Sequence, residues 1–114
     1  MQPIDPKEVQ RYLDDHRERD LYIHLEMTTG AYAAHLDQSR HPAATFLTNA
    51  VIRYSRGSIS GKTPYRIGLK TAQGWVYSEG LTHWDEARRG DLILAGHDAA
   101  GKLVVSLQLS PNPF

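Results

Sequence analysis

The chain opens on a helical period and then changes to a period of two. Val9, Tyr12, Leu13 and His16 recur at i, i+3, i+4 and i+7, while Lys7, Arg11, Asp14 and Asp15 fall on the other side. One face can therefore pack and the other meets water. The start signals agree: Asp5 stands at the N-cap, Pro6 at the first helical position and Glu8 three residues after the cap, with Ile4 and Val9 at the staple positions. The spacing predicts a short helix from about Pro6 to Arg17.

Beyond Asp20, Leu21, Ile23, Leu25 and Met27 alternate with Tyr22, His24, Glu26 and Thr28, the signature of a strand with one face in the core. "TTGAY" turns at Gly30, and Tyr32, Ala34 and Leu36 return as a second strand. Pro42 then interrupts any ladder, because it has no amide hydrogen to donate. From Thr45 to Ser60 apolar residues occupy both parities, which implies burial on both sides or a kink. Tyr65, Ile67 and Leu69 lead through "AQG" to Trp75, Val76 and Tyr77, a second hairpin. Leu92–Leu94, the turn "GHDAAGK" and the alternating Leu103–Leu109 make the last pair.

About seven strands within residues 20 to 109, joined by tight turns after one N-terminal helix, leave no room for the helical crossovers of a parallel sheet. The expected fold is mainly β, antiparallel and barrel-like, since closure removes exposed sheet edges. Residues 1–114 should form one domain. No apolar run approaches the roughly 20 residues of a spanning helix, and no basic segment precedes an apolar stretch at the N-terminus. A cytoplasmic, membrane-free protein is the expectation.

Thirteen basic residues balance thirteen acidic ones, so the net field that attracts nucleic acid is missing. Arg53, Arg56, Lys62, Arg66 and Lys70 lie near Tyr54 and Tyr65, but a solvated strand face accounts for them better than a single-stranded nucleic acid does. The chain has no cysteine, which removes thiolate nucleophiles, cysteine-based zinc sites and disulfides. "RGSISG" at 56–61 has Ile59 where a hydrolase elbow needs its serine, and reads as a turn.

The candidate chemistry lies in histidines and glutamates. His24 and Glu26 project from one face of a strand about 7 Å apart, a spacing that suits two ligands of one metal. His35, Glu79, His83 and His97 are the possible completions. Glu79 and His83 are four apart, about 13 Å along a strand, and share a site only if Gly80 bends the chain. Trp75, Tyr77 and Trp84 are candidates for an aromatic wall. For each group a plainer account exists: turn hydrogen bonds for Glu79 and His83, turn chemistry for His97 and Asp98.

Particular phrases carry a resemblance. "MQPIDPKEVQRYL", "LYIHLEMTTGAYAAH", "NAVIRY", "PYRIGLK", "GWVYSEGLTHW" and "LILAGHDAAGKL", with "LQLS" and the final "PF", are similar to the YojF-type family of small proteins from Bacillus and related bacteria. The resemblance spans nearly the whole chain. It implies a barrel-like architecture and a domain of unknown function, with no established active site. It also implies a neighbourhood, because genes of this family lie beside a metal-dependent deacetylase of the kind used in bacillithiol synthesis.

The expected function is a non-catalytic module, self-associating, that binds a small ligand or a partner protein such as that deacetylase. The competing expectation is a small enzyme holding a divalent metal on His24, Glu26, Glu79 and His83, with His97 as an optional further ligand. Self-association is expected from small size and ten aromatic residues, which interfaces favour.

Overall fold

A computed structural model describes residues 1–29, 43–86 and 90–114. In chain order the elements are β1 (Gln2–Pro3), α1 (Pro6–Asp15), β2 (Leu21–Thr29), β3 (Ala43–Ile52), β4 (Tyr54–Gly61), β5 (Tyr65–Thr71), β6 (Gly74–Leu81), β7 (His83–Glu86), β8 (Leu92–His97) and β9 (Leu103–Ser110). The expected strand at Tyr32–Leu36 lies outside the described residues.

The helix begins as its sequence requires. The Asp5 carboxylate accepts from the amides of Lys7 and Glu8 at 3.1 and 3.4 Å, satisfying two of the donors every helix start leaves open. Val9, Tyr12 and Leu13 are fully buried, and Ile4 packs in the same core. The helix stops at Asp15, two residues short of expectation. There the ring of His16 stacks on Tyr12 with centroids 3.9 Å apart, and its Nδ1 lies 2.8 Å from the Tyr12 carbonyl.

Helix α1 covers β4, the edge of the smaller sheet. Gln10 does this chemically as well as sterically: its Nε2 donates to the Gly57 carbonyl at 2.8 Å, and its Oε1 accepts from the Ile59 amide at 3.0 Å. One amide side chain thus pairs two outward-facing backbone groups of an edge strand, which would otherwise offer themselves to another chain. The Tyr54 hydroxyl donates to the Leu13 carbonyl at 2.8 Å and ties the far end of the helix down. "RGSISG" is accordingly strand, the body of β4, and the turn follows it.

The strands divide into two sheets, which corrects the expected closed barrel. Among the described residues, one sheet has six strands in the order β1-β7-β8-β9-β2-β3 and the other has three in the order β4-β5-β6; every pairing is antiparallel. The stretch from Thr45 to Ser60 is two strands broken at Arg53, where the chain leaves one sheet for the other. Inward parity is kept across Arg53, from Ile52 to Tyr54, and changes at two register shifts, between Leu47 and Ala50 against β2 and after Tyr54 against β5. The corner is tied to the segment that follows the helix: the Glu18 amide donates to the Tyr54 carbonyl at 2.9 Å and Arg53 Nη2 to the Glu18 carbonyl at 2.6 Å.

A second corner lies at Thr82, between β6 and β7. Its amide donates to the Ala95 carbonyl at 2.9 Å, and its carbonyl accepts from the Ile4 amide at 3.1 Å. The chain reaches this corner through a bulge: Tyr65 pairs with Leu81 but Ile67 with Ser78, so β6 carries an extra residue, and Gly80 takes φ 82°. That bend is the one the sequence suggested at Gly80. The core between the sheets is built from Ile23, Ile67, Leu69, Leu81, Leu94 and Leu107 with their neighbours, each such side chain contributing about 1.5–3 kcal/mol on burial. Strand β6 packs on β8 and β9, so the smaller sheet covers the centre of the larger one and stops short of the β2–β3 end.

Candidate functional site

Two distinct places carry the candidate residues. The first is the corner at Thr82. His83 pairs with Ala95 across β7 and β8, and His97, two residues on, has the same parity, so the two histidines are diagonal neighbours on one face. Their Nδ1 atoms stand 3.3 Å apart, with ring centroids 5.0 Å apart and planes at 84°. The Thr82 hydroxyl lies 2.7 Å from His83 Nδ1 and accepts from the His97 amide at 3.2 Å. Both rings are partly buried and border a surface hollow of about 730 Å³ that also touches Asp98. Asp98 itself serves the turn: its Oδ1 accepts from the amides of Ala100 and Lys102, both at 2.9 Å.

The second place is the cleft where the smaller sheet stops short. Leu25, Met27, Leu47 and Val105 form one wall, and Arg66, Tyr77, Ser78 and Glu79 the other, around about 600 Å³; Glu26 and Thr45 complete the border. Leu25 pairs with Leu47 and Met27 with Thr45, so these side chains continue the core face of the large sheet past the cover. That leaves Met27 and Leu47 exposed at 56% and 47%. Ser78 is the exception in this apolar lining. It is only 6% exposed, and its Oγ has no protein hydrogen-bond partner among the described residues.

The rim is charged and aromatic. Arg66 Nε meets Glu79 Oε1 at 2.9 Å, and its guanidinium lies 4.2 Å from the centre of the Tyr77 ring. Trp75 and Tyr77 stack with centroids 5.6 Å apart and planes within 6°. Two of the three aromatic-wall candidates therefore stand together. Trp84 does not join them: it is 6% exposed, inside the core, because the corner at Thr82 shifts the inward parity of β7.

The six titratable candidates do not form one cluster. Glu26 and Glu79 border the cleft, and His24 Nε2 stands 3.9 Å from Glu26 Oε1. Glu79 is turned to Arg66, and His83 to His97. His35 lies outside the described residues. Among the described residues no three of His, Asp and Glu converge on one metal position.

Sequence reasoning missed Ser78 and Thr82, and placed Arg66 on a solvated strand face and not at a cleft rim. Ser78 had a signal, since it shares the parity of Val76 in a strand whose inward positions are otherwise apolar. Thr82 had none, because its role depends on a corner between sheets.

Comparison with known proteins places the chain. A family described as "Protein of unknown function (DUF1806)" matches residues 3–114. The "Uncharacterized protein YojF" of Bacillus subtilis (strain 168) is 44% identical over 114 residues, all of this chain and 98% of that protein. The crystal structure of Bacillus subtilis YojF superposes with a TM-score of 0.83 at 40% identity, covering 99% of this chain and 95% of that one. With its length matched by the family model and by a relative of such identity, the chain belongs to the YojF family of proteins of unknown function.

Proposed function

We propose that the protein is a ligand-binding module and that its site is the cleft between the two sheets. The Ser78 hydroxyl is the observation that carries this reading. A buried hydroxyl without a partner among the described residues costs about 1–3 kcal/mol; the Ser78 Oγ is itself closed to solvent, so a molecule in the cleft regains that energy once the lining parts enough for it to reach the hydroxyl. The fitting ligand has an apolar body against Leu25, Leu47 and Val105, one polar group at Ser78, and a charged end at the rim, where Arg66 and Glu79 offer both signs. Sites of this size with a few placed polar groups are the usual form of small-molecule recognition.

Among the described residues the cleft holds no paired nucleophile and base, and the reading we favour is binding without catalysis. The partner implied by the family resemblance is a deacetylase of the bacillithiol pathway. In the cytoplasm, as a homo-oligomer, the module would present a bound molecule to that enzyme or hold the enzyme itself.

The cleft is tested with anilinonaphthalene sulfonate, which has an apolar body and one anionic group. Saturable one-site fluorescence enhancement, abolished by Leu47→Arg and retained in His97→Asn, is the expected result. No saturable binding to the folded protein, or binding indifferent to Leu47→Arg, overturns it. For the partner, affinity capture of the tagged protein from a bacillithiol-producing cell should recover the deacetylase; its absence, with unchanged thiol pools in a deletion strain, ends that part.

A further inference from the structure

The pair at the Thr82 corner lies apart from the cleft. Its spacing is long for a hydrogen bond: N–H donors usually sit about 2.7–3.2 Å from their acceptors, and the Thr82 hydroxyl, at 2.7 Å from His83 Nδ1, already competes for that nitrogen. The same 3.3 Å fits a different arrangement. Two imidazole nitrogens bound at about 2.0–2.1 Å to one tetrahedral ion stand about 3.3–3.4 Å apart.

We propose that His83 and His97 hold one divalent first-row transition ion, of the zinc type, between their Nδ1 atoms. Imidazole nitrogen suits zinc, cobalt, nickel and copper; among the described residues the neighbouring carboxylate, Asp98, is engaged by its own turn, and a two-imidazole donor set disfavours calcium and magnesium. Both rings bind neutral, with their protons on Nε2. Metal on His83 Nδ1 displaces the Thr82 hydroxyl from its 2.7 Å contact with that nitrogen; the hydroxyl draws back, gives its single proton to the Ala95 carbonyl, 3.4 Å away in this structure, and keeps accepting from the His97 amide. Two protein ligands leave two tetrahedral positions, which open toward the 730 Å³ hollow and take water or an oxygen donor from outside.

The fold holds the pair rigidly. His97 sits at a register shift between β8 and β9, next to Gly96, which packs directly on the Gly80 bulge. His83 follows the corner that the same bulge creates. The distance between the two nitrogens is thereby set by backbone packing, the kind of preorganisation a site with few ligands requires.

The test uses the full chain after chelator treatment, titrated with cobalt chloride. The expected result is one equivalent of Co²⁺ giving the intense visible bands of tetrahedral coordination, displaced by Zn²⁺. His83→Asn and His97→Asn should each abolish the signal while His24→Asn leaves it intact. Long-range nitrogen–proton spectra of the unmutated protein with Zn²⁺ should move the Nδ1 resonances of these two rings, a readout that no variant's folding affects. Weak octahedral bands only, a signal that survives both substitutions, or unmoved Nδ1 resonances overturns the proposal. Because anilinonaphthalene sulfonate reports on the other site, the two readings fail separately.

Discussion

Gly96 faces the Gly80 carbonyl with no space for a side chain between them: a Cβ on Gly96 would overlap that oxygen and Val105 Cγ1. Strands β6 and β8, from different sheets, meet here backbone to backbone. Gly96→Ala must therefore separate the sheets or distort the bulge, and overpacking of this kind costs about 1–3 kcal/mol and sometimes more. Urea denaturation should place the variant at the upper end of that range. An unchanged midpoint would mean that the two backbones are not in contact.

Gln10 replaces a neighbouring strand at the edge of β4. Gln10→Ala leaves the Gly57 carbonyl and the Ile59 amide without their partner and should lower stability by about 1–2 kcal/mol. Gln10→Glu keeps the acceptor for Ile59 and loses the donor to Gly57, so its loss should be distinct from that of alanine. Size-exclusion chromatography at rising concentration gives the second readout, since an uncovered edge favours association.

Alkaline pH should destabilise the fold through two tyrosines. Tyr12 and Tyr54 both have pKa values raised above the ordinary 10.0, chiefly by burial, with Asp91 adding to the first and Tyr12 to the second. A raised phenol binds its proton more tightly in the folded state than in the unfolded one. Their contribution is thus complete below pH 10 and is lost as pH rises past it toward the folded-state values. Urea midpoints measured from pH 8 to 11 should be flat and then fall. Phenolate absorbance should show these two tyrosines titrating only as the protein unfolds, and Tyr54→Phe should reduce the steepness of the fall.

The two tryptophans should report separately on core and rim. Trp84 is 6% exposed and Trp75 is 44% exposed, so iodide should quench one emission component and spare the other. Trp75→Phe removes the quenchable part. If Trp84 were the quenched residue, the parity shift at Thr82 would be wrong.

Ser78→Ala should have opposite effects on stability and binding. Deleting a buried hydroxyl that lacks a partner among the described residues should leave the free protein as stable or up to about 1 kcal/mol more so, while weakening any ligand that bonds it. A destabilised Ser78→Ala would show that the hydroxyl is already satisfied.

What was legible in the sequence follows the range of the interactions. Helix α1 was readable almost to the residue because Asp5, Pro6, Glu8, Ile4 and Val9 act within one or two turns. Strands β2, β5, β6, β8 and β9 were readable for the same reason, each from its own alternation, and the Gly80 bend from a glycine in a strand pattern; the short β1 and β7 were not, and residues 56–61 of β4 read as a turn. The division into two sheets was not, since it turns on Arg53 and Thr82, corners whose backbone groups are satisfied by Glu18, Ala95 and Ile4 from remote segments. The same limit applied to the candidate residues. His83 and His97 are 14 apart and meet only through the pairing of β7 with β8, whereas His24 and Glu26, two apart, offered the more obvious pair and gain no third partner among the described residues.

The Gln10 bridge also sets a clock. The Ile59 amide is held by a side chain of α1, so it exchanges its hydrogen with solvent only when that helix lifts from the sheet. The exchange rate at this one position measures the undocking of α1 from β4, independently of whether the strands beneath have opened.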